Sequence, residues 1–128
     1  MKIVVAIARI LLGLIFVFFG ANLMHPFLPV PPMPPGPMKD FNTVLYVTHY
    51  TVMVGFFQFL GGFLLLINRY VPVGLIILAA ILVNILTTHA LIMHGGFAIP
   101  IVVTILWLLV FWRVRGAFAG VFQAKVPA

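Results

Sequence analysis

Four long apolar stretches occupy most of this 128-residue chain and limit what it can fold into. We place them roughly at residues 3–24, 43–67, 71–93 and 97–112. A helix needs ~20 apolar residues to cross a bilayer, so four such helices leave no room for a separate soluble domain. The sequence therefore predicts an all-α fold. We expect a polytopic membrane protein in which residues 1–128 form one antiparallel bundle of four transmembrane helices.

Composition supports this class of protein and limits its chemistry. Hydrophobic residues make up 65% of the chain and charged residues 6%, whereas soluble domains carry roughly 25% charged residues. Cysteine is absent, so the chain forms no disulfide and no thiolate metal site of its own. Any redox chemistry would belong to a cofactor or a partner. Because no constellation of acid, thiol or other nucleophile is apparent, we expect a non-catalytic protein rather than an enzyme.

The basic residues predict the orientation of the chain. If the four stretches alternate in direction, one side of the membrane receives Lys2, Arg9, Arg69, Arg113, Arg115 and Lys125. The other side receives only Lys39, beside Asp40. Because basic residues collect on the cytoplasmic side, both termini are expected there. This distribution explains the net charge of +6 better than a nucleic-acid partner does.

Arg9 is a charged residue inside the first apolar stretch. Arg9 interrupts the first stretch, which favours a retained helix over a removed signal peptide, and its side chain is expected to snorkel to the membrane–water interface.

Residues 25–40 are rich in proline and predict an extended outer loop over the mouth of the bundle. Trp107 and Trp112 are typical of the inner end of a span. The tail, 113–128, predicts a short interfacial helix with Phe118, Val121 and Phe122 on one face.

Small and amide residues mark one face of the second stretch. Helical spacing aligns Thr51, Gly55, Gln58 and Gly62. Gly13 and Gly20 form a similar seam in the first stretch, so these two glycine faces are candidate partners in helix packing. Asn84 is the matching amide of the third stretch. Two interpretations stay open for Gln58 and Asn84: they pin helices together, or they contact a ligand or a proton pathway.

Histidines form a second group, near the outer ends of the stretches. His25, His49, His89 and His94 all lie there, and together with Asn22 they predict a pocket beneath the proline-rich loop. His49 and His89 lie at similar depth, as two haem b ligands would, with Thr88 available for a supporting hydrogen bond. Interfacial packing or contact with a quinone explains the same histidines. No helix carries the paired histidine spacing of a dedicated metal site, so no metal is predicted.

Several motifs resemble a known family. "GLIFVFFG" in the first stretch, "GFFQFLGGFLLLINRYVPVG" across the second and third, and "LVNILTTH" in the third are similar to the DoxX and DoxX-like small membrane proteins. The resemblance implies four helices and an association with membrane redox systems, including thiosulfate:quinone oxidoreductase. Family members often have an acidic residue where this chain has Gln58. His89 matches the family's Asn-Ile-x-x-x-His element.

The resemblance implies a function as a non-catalytic subunit or anchor of a quinone-linked redox complex in a bacterial inner membrane. The expected partners are the lipid bilayer, other redox subunits and a second copy of the chain. Quinone is the first candidate cofactor and haem b the second. The alternatives are a protein that binds a hydrophobic ligand and a membrane assembly factor, whereas a transporter fits four short helices least well.

Overall fold

The computed structural model describes residues 2–29 and 32–127, which form helices and turns without a strand. Its α-helices are α1 (Lys2–Met24), α2 (Pro37–Val47), α3 (Tyr50–Leu66), α4 (Val71–Thr88) and α5 (Ala98–Val114). A π-helical turn, His89–Met93, extends α4, and a 3₁₀ turn, Arg115–Phe118, follows α5. The expected loop and tail also include residues 30, 31 and 128, which lie outside the described residues.

Three helical segments are long and apolar enough to cross a membrane: Lys2–Met24, Val71–Met93 and Ala98–Phe118. Helices α2 and α3 meet the same criteria only as a pair, and counting that pair as one span gives up to four. The prediction of an all-helical chain with apolar helices of membrane-crossing length is therefore confirmed for the described residues.

The predicted second span, 43–67, is wrong as a single helix. The chain bends by 86° between α2 and α3. His49 lies at the bend with a φ of 59°, a left-handed backbone conformation that cannot continue a right-handed helix. Residues 43–47 therefore belong to α2, and only α3 continues in the expected direction.

Glycines bring α1 and α3 into backbone contact. A Cβ atom added at Gly20 would lie 2.7 Å from the Gly55 carbonyl oxygen, and one added at Gly62 would lie 2.7 Å from the Gly13 carbonyl oxygen. The pairs follow in opposite order along the two helices, so α1 and α3 run antiparallel. The two glycine faces derived from helical spacing thus pack on each other.

The remaining helices complete the core. Helix α4 packs on α3 and α5, and α5 also packs on α1. Gly61 and Gly74, which the sequence did not single out, bring α3 close to α4: a Cβ at Gly74 would lie 3.0 Å from the Gly61 carbonyl oxygen. The fully buried side chains of largest volume are Leu12, Leu65, Leu75, Leu78 and Val110.

Arg9 and Trp107, which the sequence predicted at the membrane–water interface, each form a hydrogen bond to a neighbouring helix. Arg9 is half-buried and donates a hydrogen bond from Nη1 to the carbonyl oxygen of Leu65, in the last turn of α3, which also accepts from the Asn68 N–H at 3.2 Å. Trp107 donates from Nε1 to the carbonyl oxygen of Leu75 at 3.0 Å, which links α5 to α4. Trp112 is exposed, in agreement with its expected place at a helix end.

The expected loop 25–40 is shorter than predicted. Pro37 opens α2, because a proline in the first helical turn has no hydrogen bond to lose. Asp40 lies in the same turn, where a negative charge is favourable. The Asn22 side chain orders the start of the loop by accepting hydrogen bonds from the backbone N–H groups of Phe27 and Leu28, both at 3.0 Å.

The tail does not form the expected interfacial helix. Arg113 and Val114 belong to α5, and the helical turn after them ends at Phe118. Phe118 is buried against Phe111, with 5.0 Å between the ring centroids. Because this packing directs Phe118 into the core, it shares no exposed face with Val121 and Phe122, which lie in turns.

Candidate functional site: a cavity between α2, α3 and α4

A cavity of about 620 Å³ lies between α2, α3 and the C-terminal part of α4. Helix α2 covers it, because the bend at His49 turns α2 across the end of α3 and towards the π-helical turn, which it contacts. Its apolar lining is contributed by all three helices, including Met38, Phe41, Leu45, Tyr50, Met53, Phe57, Ile77 and Ile81. Its volume falls within the range of small-molecule sites, roughly 300–1,000 Å³.

The lining is uncharged. Among the described residues it includes no lysine, arginine, aspartate or glutamate, and Asp40, the only acidic residue of the sequence, is not part of it. Its hydrogen-bonding side chains, Tyr50 apart, are Asn42, Gln58, Asn84, Thr88 and His89. A mostly apolar cavity with a few polar groups suits an uncharged molecule that has an apolar body and a polar end.

Gln58 is the most informative of these residues. Its side chain is only 7% exposed and lines the cavity from the middle of α3. Its amide makes no hydrogen bond with the described residues. No fully buried side-chain nitrogen or oxygen among the described residues lacks a partner, so the unpartnered amide atoms of Gln58 are accessible. Because Gln58 lines the cavity, a ligand with a matching polar group can exchange a hydrogen bond with this amide there.

Asn84 and Thr88 face the same cavity but already bond to their own helix. Asn84 donates from Nδ2 to the carbonyl oxygen of Ala80 at 2.9 Å, and Thr88 donates from Oγ1 to that of Asn84 at 2.8 Å. Their oxygens keep the capacity to accept a hydrogen bond. Gln58 and Asn84 share the cavity without a hydrogen bond between them. The structure therefore brings the two intramembrane amides of the sequence analysis to one site.

His89 lies at the start of the π-helical turn, a rare geometry that often occurs at functional sites. Its ring is half-buried, lines the cavity and tilts against the Phe97 ring at 6.3 Å between centroids. Nδ1 lies 2.7 Å from the carbonyl oxygen of Ile85. This contact holds the ring in one orientation and leaves Nε2 as the ring nitrogen without a partner among the described residues.

The expected outer pocket of Asn22, His25, His49, His89 and His94 needs correction, since only His89 lines the cavity. His25 follows α1, His49 is at the bend and His94 ends the π-helical turn, and all three are exposed. The prediction that His49 and His89 lie at similar depth counted residues along one straight span. The chain bends at His49, which does not line the cavity. The described residues contain no group of three or more His, Cys, Asp or Glu side chains that could hold a metal ion.

The sequence analysis missed the contribution of α2. Met38, Phe41, Asn42 and Leu45 line the cavity from that helix. Their spacing of three, four and seven residues is that of one helical face. This helical spacing was present in the sequence, but Met38 was assigned to the proline-rich loop and Leu45 to the second span.

Comparisons with protein-family models, with curated proteins and with solved structures found no match to this chain.

Proposed function

We propose that this chain is a small integral membrane protein that holds an uncharged hydrophobic ligand, of the quinone class, between α2, α3 and α4. The observation that carries the proposal is Gln58: the residue is only 7% exposed, and its amide, which has no hydrogen-bond partner among the described residues, lies at the wall of an apolar cavity. The quinone class follows from the DoxX resemblance and from the uncharged lining. A quinone combines an aromatic-like ring and an apolar tail with oxygens that accept hydrogen bonds, and the Gln58 amide is a suitable donor.

The proposed membrane arrangement is a four-helix bundle in a bacterial inner membrane, with both termini in the cytoplasm. Helices α1, α3, α4 and α5 are its spans. Helix α2 lies along the periplasmic face of this membrane, since its axis is turned 86° from that of α3. With 17 residues, α3 is about 25 Å long, close to the ~30 Å of the hydrocarbon core. The basic residues at the end of the bundle opposite α2 support the cytoplasmic placement of the termini.

Ligand retention tests this proposal. The protein is purified in a mild detergent, extracted with organic solvent and analysed by absorption and mass spectrometry. We expect a quinone in the extract, and we expect Gln58→Leu to reduce the retained amount several-fold because the leucine offers no donor. The matched control is Thr104→Val on α5, which removes a half-buried hydroxyl outside the cavity lining. Equal retention in parent and Gln58→Leu, or no binding of added decylubiquinone by the parent, contradicts the proposal.

The second candidate function concerns partners: the chain serves as a non-catalytic subunit or anchor of a redox complex. Its composition favours this role, because a chain without cysteine and with one acidic residue has few groups of its own for electron or proton transfer. A ligand and a partner would supply that chemistry. Extraction at native expression followed by mass spectrometry of the intact complex is the test. Repeated recovery of the chain free of oxidoreductase subunits contradicts this role while leaving ligand binding open.

A further inference from the structure

The hydrogen bond at Nδ1 of His89 determines what Nε2 can do. The carbonyl oxygen of Ile85 can only accept, so the Nδ1 atom 2.7 Å away carries the proton and donates. In a neutral imidazole one nitrogen carries the proton and the other has a free lone pair. In the neutral form of His89, Nε2 is therefore an acceptor, and a ligand that contacts it has to donate a hydrogen bond.

The rest of the cavity indicates which donor fits. The lining has no charged side chain, so a cationic ammonium donor would find no counter-ion there. The aromatic residues Phe41, Tyr50 and Phe57 line the same cavity, and such side chains pack well against another ring. A neutral donor attached to an aromatic ring satisfies both conditions, and a phenolic hydroxyl is that group.

We infer that the cavity selects ligands that carry an aromatic hydroxyl, a phenol or a hydroquinone, which donates to Nε2 of His89. Gln58 takes a second polar group of the ligand through its amide. This inference rests on the proposed ligand-binding function and narrows its ligand class. A quinone carbonyl can only accept, whereas the hydroxyl of the corresponding hydroquinone can donate. His89 therefore makes the site prefer the reduced member of such a pair.

Two probes that differ only in the donor test the inference. 4-Nonylphenol and 4-nonylanisole share ring and tail, but the methyl ether has no hydroxyl hydrogen. Binding of each to the full chain in detergent is measured at pH 8 by native mass spectrometry. We expect the parent to bind the phenol roughly tenfold more tightly, as one buried hydrogen bond allows. In His89→Phe the preference should disappear, because phenylalanine keeps the ring and loses both nitrogens.

His94→Phe is the matched control. His94 is exposed and ends the same π-helical turn, but it does not line the cavity, so its variant should keep the tenfold preference. Equal binding of the two probes by the parent overturns the inference while leaving the proposed function intact, and this comparison needs no variant. A preference that persists in His89→Phe also overturns it. Binding of neither probe overturns the inference as well, whereas the proposed function fails only if the parent does not bind decylubiquinone.

Discussion

Gly20→Ala is the sharpest test of how α1 and α3 pack. The added Cβ would lie 2.6 Å from the backbone nitrogen of Phe59 and 2.7 Å from the Gly55 carbonyl oxygen. Both are backbone atoms, so no rotamer change relieves the contact. The helices must separate by about 0.4–0.8 Å to restore distances of 3.0–3.4 Å, and a gap of this size removes roughly a quarter to a half of the dispersion energy between facing atoms.

The net cost follows from two opposing terms. Overpacking of this kind costs ~1–3 kcal/mol, whereas alanine favours a helix over glycine by ~0.5–1 kcal/mol. The two ranges leave a net loss of ~0–2.5 kcal/mol, and because both clashing atoms belong to the backbone we expect Gly20→Ala to lower the free energy of unfolding by ~1–2 kcal/mol. For a chain of this length each kcal/mol corresponds to roughly 3–5 °C in melting temperature.

The assay is thermal melting in one detergent, with Gly116→Ala as the control. A Cβ at Gly116 would meet nothing within 4 Å, so the same chemical change occurs there without a clash. Gly116→Ala should melt with the parent. If Gly20→Ala melts with Gly116→Ala or above it, α1 and α3 are not in backbone contact at this position and the packing argument is refuted.

Three further predictions concern packing and orientation. Gly62→Leu should lower the melting temperature more than Gln58→Leu, because the leucine forces two backbones apart whereas the Gln58 amide has no hydrogen bond with the described residues to lose. The reversed order would contradict the close packing of the glycine faces of α1 and α3. Trp107→Phe should lower the free energy of unfolding by ~0.5–1.5 kcal/mol, because it removes the hydrogen bond to the Leu75 carbonyl oxygen. Trp112→Phe, at an exposed position, should change it little, and equilibrium unfolding measures both. A C-terminal alkaline phosphatase fusion should be inactive and a green fluorescent fusion bright, and the opposite pattern would invert the proposed orientation.

The glycine seam was accessible from the sequence because its signal is local. Gly55 and Gly62 lie seven residues apart, as do Gly13 and Gly20, and an interval of seven returns to the same helical face whatever the rest of the fold does. The bend at His49 was not accessible, since residues 43–54 contain neither a glycine nor a proline to mark it. Helix α2 packs on α3 and on the π-helical turn, and the second of these contacts joins residues that lie far apart in the sequence.

The site was accessible only in part for the same reason. Gln58, Asn84 and His89 were recognised as polar groups within apolar stretches. Helical spacing could not decide whether the Gln58 amide meets another helix or a cavity, because that depends on where α2 and α4 lie. His49 was predicted to contribute to the pocket because its depth was counted along a straight helix, but it does not line the cavity.

The contact between α1 and α3 has a consequence for biosynthesis. Gly13 and Gly62 are separated by about 50 residues, so α1 leaves the ribosome ~3–10 s before its partner at ~5–20 residues per second. During that interval its glycine face and the Arg9 guanidinium have no helix to contact. Nascent chains that stop before α3 should therefore expose an unpaired first helix to quality-control proteases, and chains that stop after Leu66 should not.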